Sequence, residues 1–135
     1  MLLMKKELKI KSNSENLRWV EKFVDEISTD LSLTDEIYGN VLIATLEAAN
    51  NAIVHGNKAQ ENKEVFILLT KEDSRIILRV QDEGEGFDFN SIPDPTAPEN
   101  IEKINGRGVF LMKKLSDEIE FFDKGRIVQL TFILK

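Results

Sequence analysis

The chain has 135 residues, 31% of them charged, with a net charge of −6 and a pI near 4.9. That size fits one domain with one core over residues 1–135, and the acidic balance argues against nucleic acid, whose phosphates need a cationic surface. With no Cys and one His, disulfide frameworks, thiolate nucleophiles and Cys- or His-rich metal sites are excluded.

Residues 1–4 lead into no apolar core or cleavage site of a signal peptide. The apolar runs are too short for a bilayer, so the expectation is a cytoplasmic protein with no membrane partner. Residues 5–11 alternate, with Leu8 and Ile10 between charged neighbours, and predict a first strand. Ser12-Asn13-Ser14 opens a helix on which Leu17, Val20, Phe23, Val24, Ile27 and Leu31 recur at steps of three and four. Ser32 and Asp35 have the spacing of a weak capping box. The second helix is predicted over residues 35–55, stopping at Gly56. Residues 64–70, nearly all apolar, and 75–81, cleanly alternating, predict strands joined by a turn at Glu72-Asp73-Ser74. Residues 82–105 are irregular, broken by Gly84, Gly86, Pro93, Pro95 and Pro98. Connections of that length in compact domains are usually binding loops or lids. A third helix is predicted after Gly106-Arg107-Gly108, and residues 119–122 and 127–134 form a closing hairpin. This order predicts an α+β fold with helices on one face of a mixed, mostly antiparallel sheet.

Three segments carry chemistry. On the second helix Glu47 is the only formally charged residue between Ile37 and His55. Two apolar rows mark this helix as largely buried, so its carboxylate must be paired, protonated or useful. Asn51, four residues on, shares its face. The pair either satisfies itself or serves as a general base, Glu47, beside an oxygen ligand for Mg²⁺, Asn51. On the third strand Asp82 ends the row Ile76, Leu78, Val80 and so points inward. It either caps the next turn or accepts a hydrogen bond from a polar ligand edge such as an adenine amino group. Gly84 and Gly86 follow, where a backbone can approach a flat ring closely. Last, Gly106-Arg107-Gly108 opens a helix, and a helix start offers free N–H groups to an anion. The chain has no G-x-x-x-x-G-K-[ST] phosphate loop.

In this order the motifs resemble the GHKL ATPases, the superfamily of gyrase, MutL and histidine-kinase catalytic domains. The segment from Glu47 through Asn51 to Gly56 resembles the N box. Asp82-Glu83-Gly84-Glu85-Gly86-Phe87 and Gly106-Arg107-Gly108-Val109-Phe110 resemble the two glycine boxes. Within the superfamily the chain is most similar to bacterial anti-sigma-factor serine-protein kinases, through Asp94-Pro95-Thr96-Ala97-Pro98-Glu99-Asn100 and Leu115-Ser116-Asp117-Glu118-Ile119-Glu120-Phe121. The resemblance covers essentially the full length and implies an α/β two-layer sandwich that binds ATP and Mg²⁺. Glu47 would be the general base, Asn51 the Mg²⁺ ligand and Asp82 the adenine anchor. Gly84 and Gly86 would line the base pocket, residues 87–105 would form an ATP lid, and Gly106 and Gly108 would meet the phosphates.

Two positions depart from the family. Its usual Gly-Thr at the last strand, where Thr helps hold adenine, is here Gly125-Arg126. A water, Thr131 or a shifted loop would take the Thr's place. Relatives carry an Arg just before the second glycine box. Here Lys103 and Arg107 are the nearby cations, and either would meet the γ-phosphate. His55 has a helix-end or packing role rather than that of a phosphoacceptor, and Lys58, Lys63, Lys113 and Lys114 are solvated. The resemblance further implies a kinase acting on an anti-anti-sigma (STAS-type) protein, or an anti-sigma module that binds a sigma factor with ATP only setting its shape. It also implies a homodimer to which residues 5–11 contribute an edge. A fragment of a larger kinase is disfavoured by the chain's own first strand and two leading helices.

Overall fold

The computed structural model describes residues 2–84 and 104–134. Strand β1 (Leu2–Lys11) is followed by helices α1 (Leu17–Leu31) and α2 (Asp35–Asn51), then β2 (Glu64–Glu72), β3 (Arg75–Gln81), α3 (Ile104–Leu115), β4 (Glu118–Phe122) and β5 (Ile127–Ile133). The five strands form one sheet in the order β1-β2-β3-β5-β4. Every neighbouring pair is antiparallel, so the mixed sheet expected from the sequence is antiparallel throughout the described residues. The reason is that β5 returns from the edge strand β4 and inserts beside β3, opposed to both.

Alternation sets which face is buried. Val65, Ile67 and Leu69 on β2, Ile76, Leu78 and Val80 on β3, and Val128, Leu130 and Phe132 on β5 all join one core. Against them pack Val20, Val24 and Ile27 of α1, Val41, Ala44 and Ala48 of α2, and Val109 and Met112 of α3. Full burial of such side chains contributes roughly 1.5–3 kcal/mol each, which is the main drive for the layering. The small residues of α2 let this central helix lie close to its neighbours.

Helix ends differ in detail from the sequence reading. Ser32 does not cap α2. It ends α1 in a left-handed conformation at φ 52°, and Thr34 caps α2 by accepting from the Ile37 N–H at 3.2 Å. The helix predicted to 55 changes at residue 52. Ala52–Gly56 form a π turn, in which the Ala52 carbonyl accepts from Asn57 N–H at 2.8 Å. Helix α3 starts at Ile104, so Gly106-Arg107-Gly108 lies in its opening turns rather than ahead of it. Gly86, Lys103 and nearly all of the expected lid at 87–105 lie outside the described residues.

Candidate functional site

The ends of α2, β3, α3 and β5 line a cleft with a cavity volume of about 60 Å³. Its lining includes Asn51, His55 and Gly56 from the α2 end, Val80 and Asp82 from β3, Val109 and Met112 from α3, and Gly125 and Arg126 ahead of β5. Most of this wall is apolar, with a few polar groups converging on it, as small-molecule sites generally are.

Asp82 is 8% exposed. Its Oδ1 accepts from the Gly84 N–H at 2.8 Å, and its own N–H donates to the Arg126 carbonyl at 3.0 Å. The turn-capping reading of Asp82 describes it, since it caps the turn at Gly84, and the same residue lines the cleft. Burial pushes its carboxyl pKa above the ordinary value. The Gly84 N–H and the charges of Arg126 and Lys63 pull it down, and Asp123 pushes it up. Lys63, read from the sequence as a solvated cation, thus acts on the site electrostatically.

The glycines allow three elements to meet. A Cβ on Gly56 would strike the Asp82 carboxylate, and one on Gly84 would strike the Gly56 carbonyl. A Cβ on Gly108 would lie 2.7 Å from Asn51 Nδ2. The first glycine box thus sits on the end of the N box, and the second box sits on Asn51. Gly106 lies in the first turn of α3, and the Arg107 side chain lies outside what the structure describes.

Asn51 Oδ1 is buried, and among the described residues it has no hydrogen-bond partner. Glu47 is half-buried one turn earlier on α2. No hydrogen bond joins it to Asn51 among the described residues, so the self-satisfied pair does not form. Glu47 is not among the residues lining the cleft. An orphaned amide oxygen at a cleft wall suits a hard cation that keeps most of its waters and shares substrate phosphates. Among the described residues no group of three or more His, Asp and Glu could hold a metal alone.

Asn57 escaped the sequence reading, and His55 and Arg126 do more at the site than it assigned them. His55 does not merely pack at a helix end. It lines the cleft, its Nε2 is buried with no partner among the described residues, and burial lowers its pKa. Asn57 is fully buried: Nδ2 donates to Ser12 Oγ at 2.7 Å and to the Glu64 carbonyl at 3.0 Å, and Oδ1 accepts from Glu83 N–H at 2.7 Å. It fastens the residue before Gly84 to the start of β2. The signal available was an Asn directly after the helix-stopping Gly56. Arg126 lines the cleft although β5 begins after it, and its Nε donates to the Gly84 carbonyl at 2.5 Å. Thr131, a candidate stand-in for the family Thr, is buried and is not among the cleft-lining residues.

The histidine kinase-like ATPase domain family matches residues 10–132. The chain belongs to that family. This ATPase domain is also similar to the serine-protein kinase RsbW of Bacillus subtilis (strain 168), 27% identical over 119 residues covering 84% of this chain and 74% of that protein. RsbW of Bacillus cereus (strain AH820) is 27% identical over 132 residues, 93% of this chain and 82% of the relative. The α+β fold, with three helices on a five-stranded antiparallel sheet among the described residues, is the one this family resemblance implied. No helix among the described residues is long and apolar enough to cross a membrane.

Proposed function

We propose that residues 1–135 form one ATP-binding unit acting as a serine/threonine-protein kinase of the anti-sigma type. It holds Mg-ATP in the cleft and transfers the γ-phosphoryl group to a Ser or Thr of a STAS-type anti-anti-sigma protein. The observation that carries this reading is the orphaned Asn51 Oδ1, set in the same cleft as the buried acceptor Asp82. Asp82 receives the adenine amino group, with the Gly84 backbone beside the ring. Gly108 and the opening turn of α3 face the phosphates, with Gly106, Arg107 and Lys103 as further contacts. Asn51 is the protein ligand for magnesium, which when bound offsets charge on the phosphates. Glu47 accepts the proton of the attacking hydroxyl as its oxygen displaces ADP.

The similarity to RsbW kinases supports this choice of reaction and a setting in which a sigma factor is the other partner. A homodimer belongs to the same reading. The edge position of β1, which carries residues 5–11, supports pairing through that edge in the cytoplasm. A second reading has support of its own, because Glu47 does not line the cleft. In it the chain is a nucleotide-gated anti-sigma module with little or no transfer. Incubation with γ-labelled ATP and a candidate single-domain anti-anti-sigma protein separates the two. Label on a Ser or Thr of that protein is the expected outcome, and tight nucleotide binding without label transfer would favour the binding module.

A further inference from the structure

Arg126 stands where the resemblance implied a hydroxyl, and its surroundings give it a more particular task. Its backbone carbonyl accepts from Asp82 N–H at 3.0 Å. Its Nε donates to the carbonyl of Gly84, two residues beyond Asp82, at 2.5 Å. Its Nη1 donates to Asp123 Oδ1 at 3.1 Å. One side chain thus ties the end of β3 to the turn between β4 and β5, and it does so from the wall of the cleft.

We propose that Arg126 is a specificity-determining residue of this cleft, holding Asp82 as an acceptor for the 6-amino group of a purine and so excluding purines that carry a carbonyl there. The inference rests on the nucleotide reading and refines it. Adenine presents a donor at that position, whereas hypoxanthine presents an acceptor. An ionised carboxylate can only accept, so it pairs with the first and repels the second. A protonated carboxyl has an O–H to donate and can pair with either. Which form Asp82 takes is therefore the basis of selection. Burial favours its proton, and Asp123 adds to that push. The Gly84 N–H, Arg126 and Lys63 oppose it. Arg126 acts twice, because the same guanidinium also pairs with Asp123. Among the described residues, His55 is the remaining titratable group on the cleft wall.

The test is calorimetric titration of the full chain with Mg-ATP and with Mg-ITP, at about pH 6 and about pH 8. Wild type, Arg126→Gln and Arg126→Lys are compared, and His55 is present in all three. Wild type is expected to prefer ATP at both pH values. In Arg126→Gln, ATP binds about tenfold more weakly, in keeping with loss of a charged hydrogen-bonding group. Its preference over ITP is smaller than that of wild type and shrinks further as the pH is lowered. Arg126→Lys keeps the charge and keeps the preference at both. A wild-type preference in Arg126→Gln at both pH values would overturn the inference. So would an equal loss of both nucleotides at both pH values, which marks a strap without selectivity. A wild-type protein that binds neither nucleotide overturns the nucleotide reading itself, and this inference with it.

Discussion

Replacing Asn57 by Ala should destabilise the protein far more than its place in a connection suggests. The side chain is fully buried and makes three hydrogen bonds. Ser12 Oγ still donates to the Lys63 carbonyl at 2.8 Å, so its loss is small. The Glu83 N–H, only partly buried, loses the partner it has at 2.7 Å, at a cost of about 1 kcal/mol. The two lost Nδ2 bonds add about 1 kcal/mol each. The sum is about 3 kcal/mol, a large share of the roughly 5–15 kcal/mol that typically holds a domain together. For a chain of this size that corresponds to a Tm lower by about 10 °C. Urea unfolding followed by circular dichroism measures it, and nucleotide affinity should fall too, because Glu83 sits between Asp82 and Gly84. A loss under about 1 kcal/mol with unchanged m-value would refute the reasoning.

Glu47→Gln should lower phosphoryl transfer by roughly 10²–10⁴-fold while ATP still binds. Asn51→Ala should weaken Mg-ATP binding and transfer together, so single-turnover kinetics beside calorimetry tell the two roles apart. Asp82→Asn should weaken ATP yet make the free protein at least as stable near neutral pH. The folded pKa of Asp82 is raised, so its favourable contribution is fully present below the unfolded value of 3.8 and is lost as pH rises through the folded one. Thermal melts should therefore show the variant's advantage narrowing as pH falls toward that unfolded value, and a variant less stable at every pH would count against it. Gly84→Ala should unfold or badly strain the site, since its Cβ meets backbone. Gly39→Ala, with open space around it on α2, should stabilise by roughly 0.5–1 kcal/mol.

Strand and helix periodicities made most of the fold legible. β3 was read to its last residue, because Arg75–Gln81 alternates without a break. The Asp82 anomaly was legible for the same reason, as a charge closing an apolar row. The N box and glycine boxes could be named from sequence, but their mutual contact could not, since Gly56, Gly84 and Gly108 touch partners 26 to 57 residues away. Asn57 was illegible on similar grounds. It looks like an ordinary polar residue after a helix, and it draws its role from groups that only the folded chain brings near. Arg126 was marked as a departure at the last strand, but its bond to the Gly84 carbonyl was not legible, because Gly84 lies 42 residues away. The cap of α2 falls within the segment Ser32-Leu33-Thr34-Asp35 read for it, but on Thr34 rather than on the Ser32 of the weak capping-box spacing, because the two are chemically equivalent candidates. Only backbone conformation separates them.

The π turn at Ala52–Gly56 has a consequence for which length changes this region can tolerate. A π turn is an α-helix that has taken up one residue more than its regular pitch allows. Deleting a single residue between Asn51 and Asn57 would let the helix close into ordinary geometry without strain. In a regular helix such a deletion would rotate every following side chain by about 100° around the axis. Here the π turn already absorbs the extra residue, so the side chains after it would keep nearly their present direction, Asn57 toward its buried partners. One-codon deletions at solvent-facing positions of this turn, such as Val54, are therefore expected to be better tolerated than the same deletions elsewhere on α2.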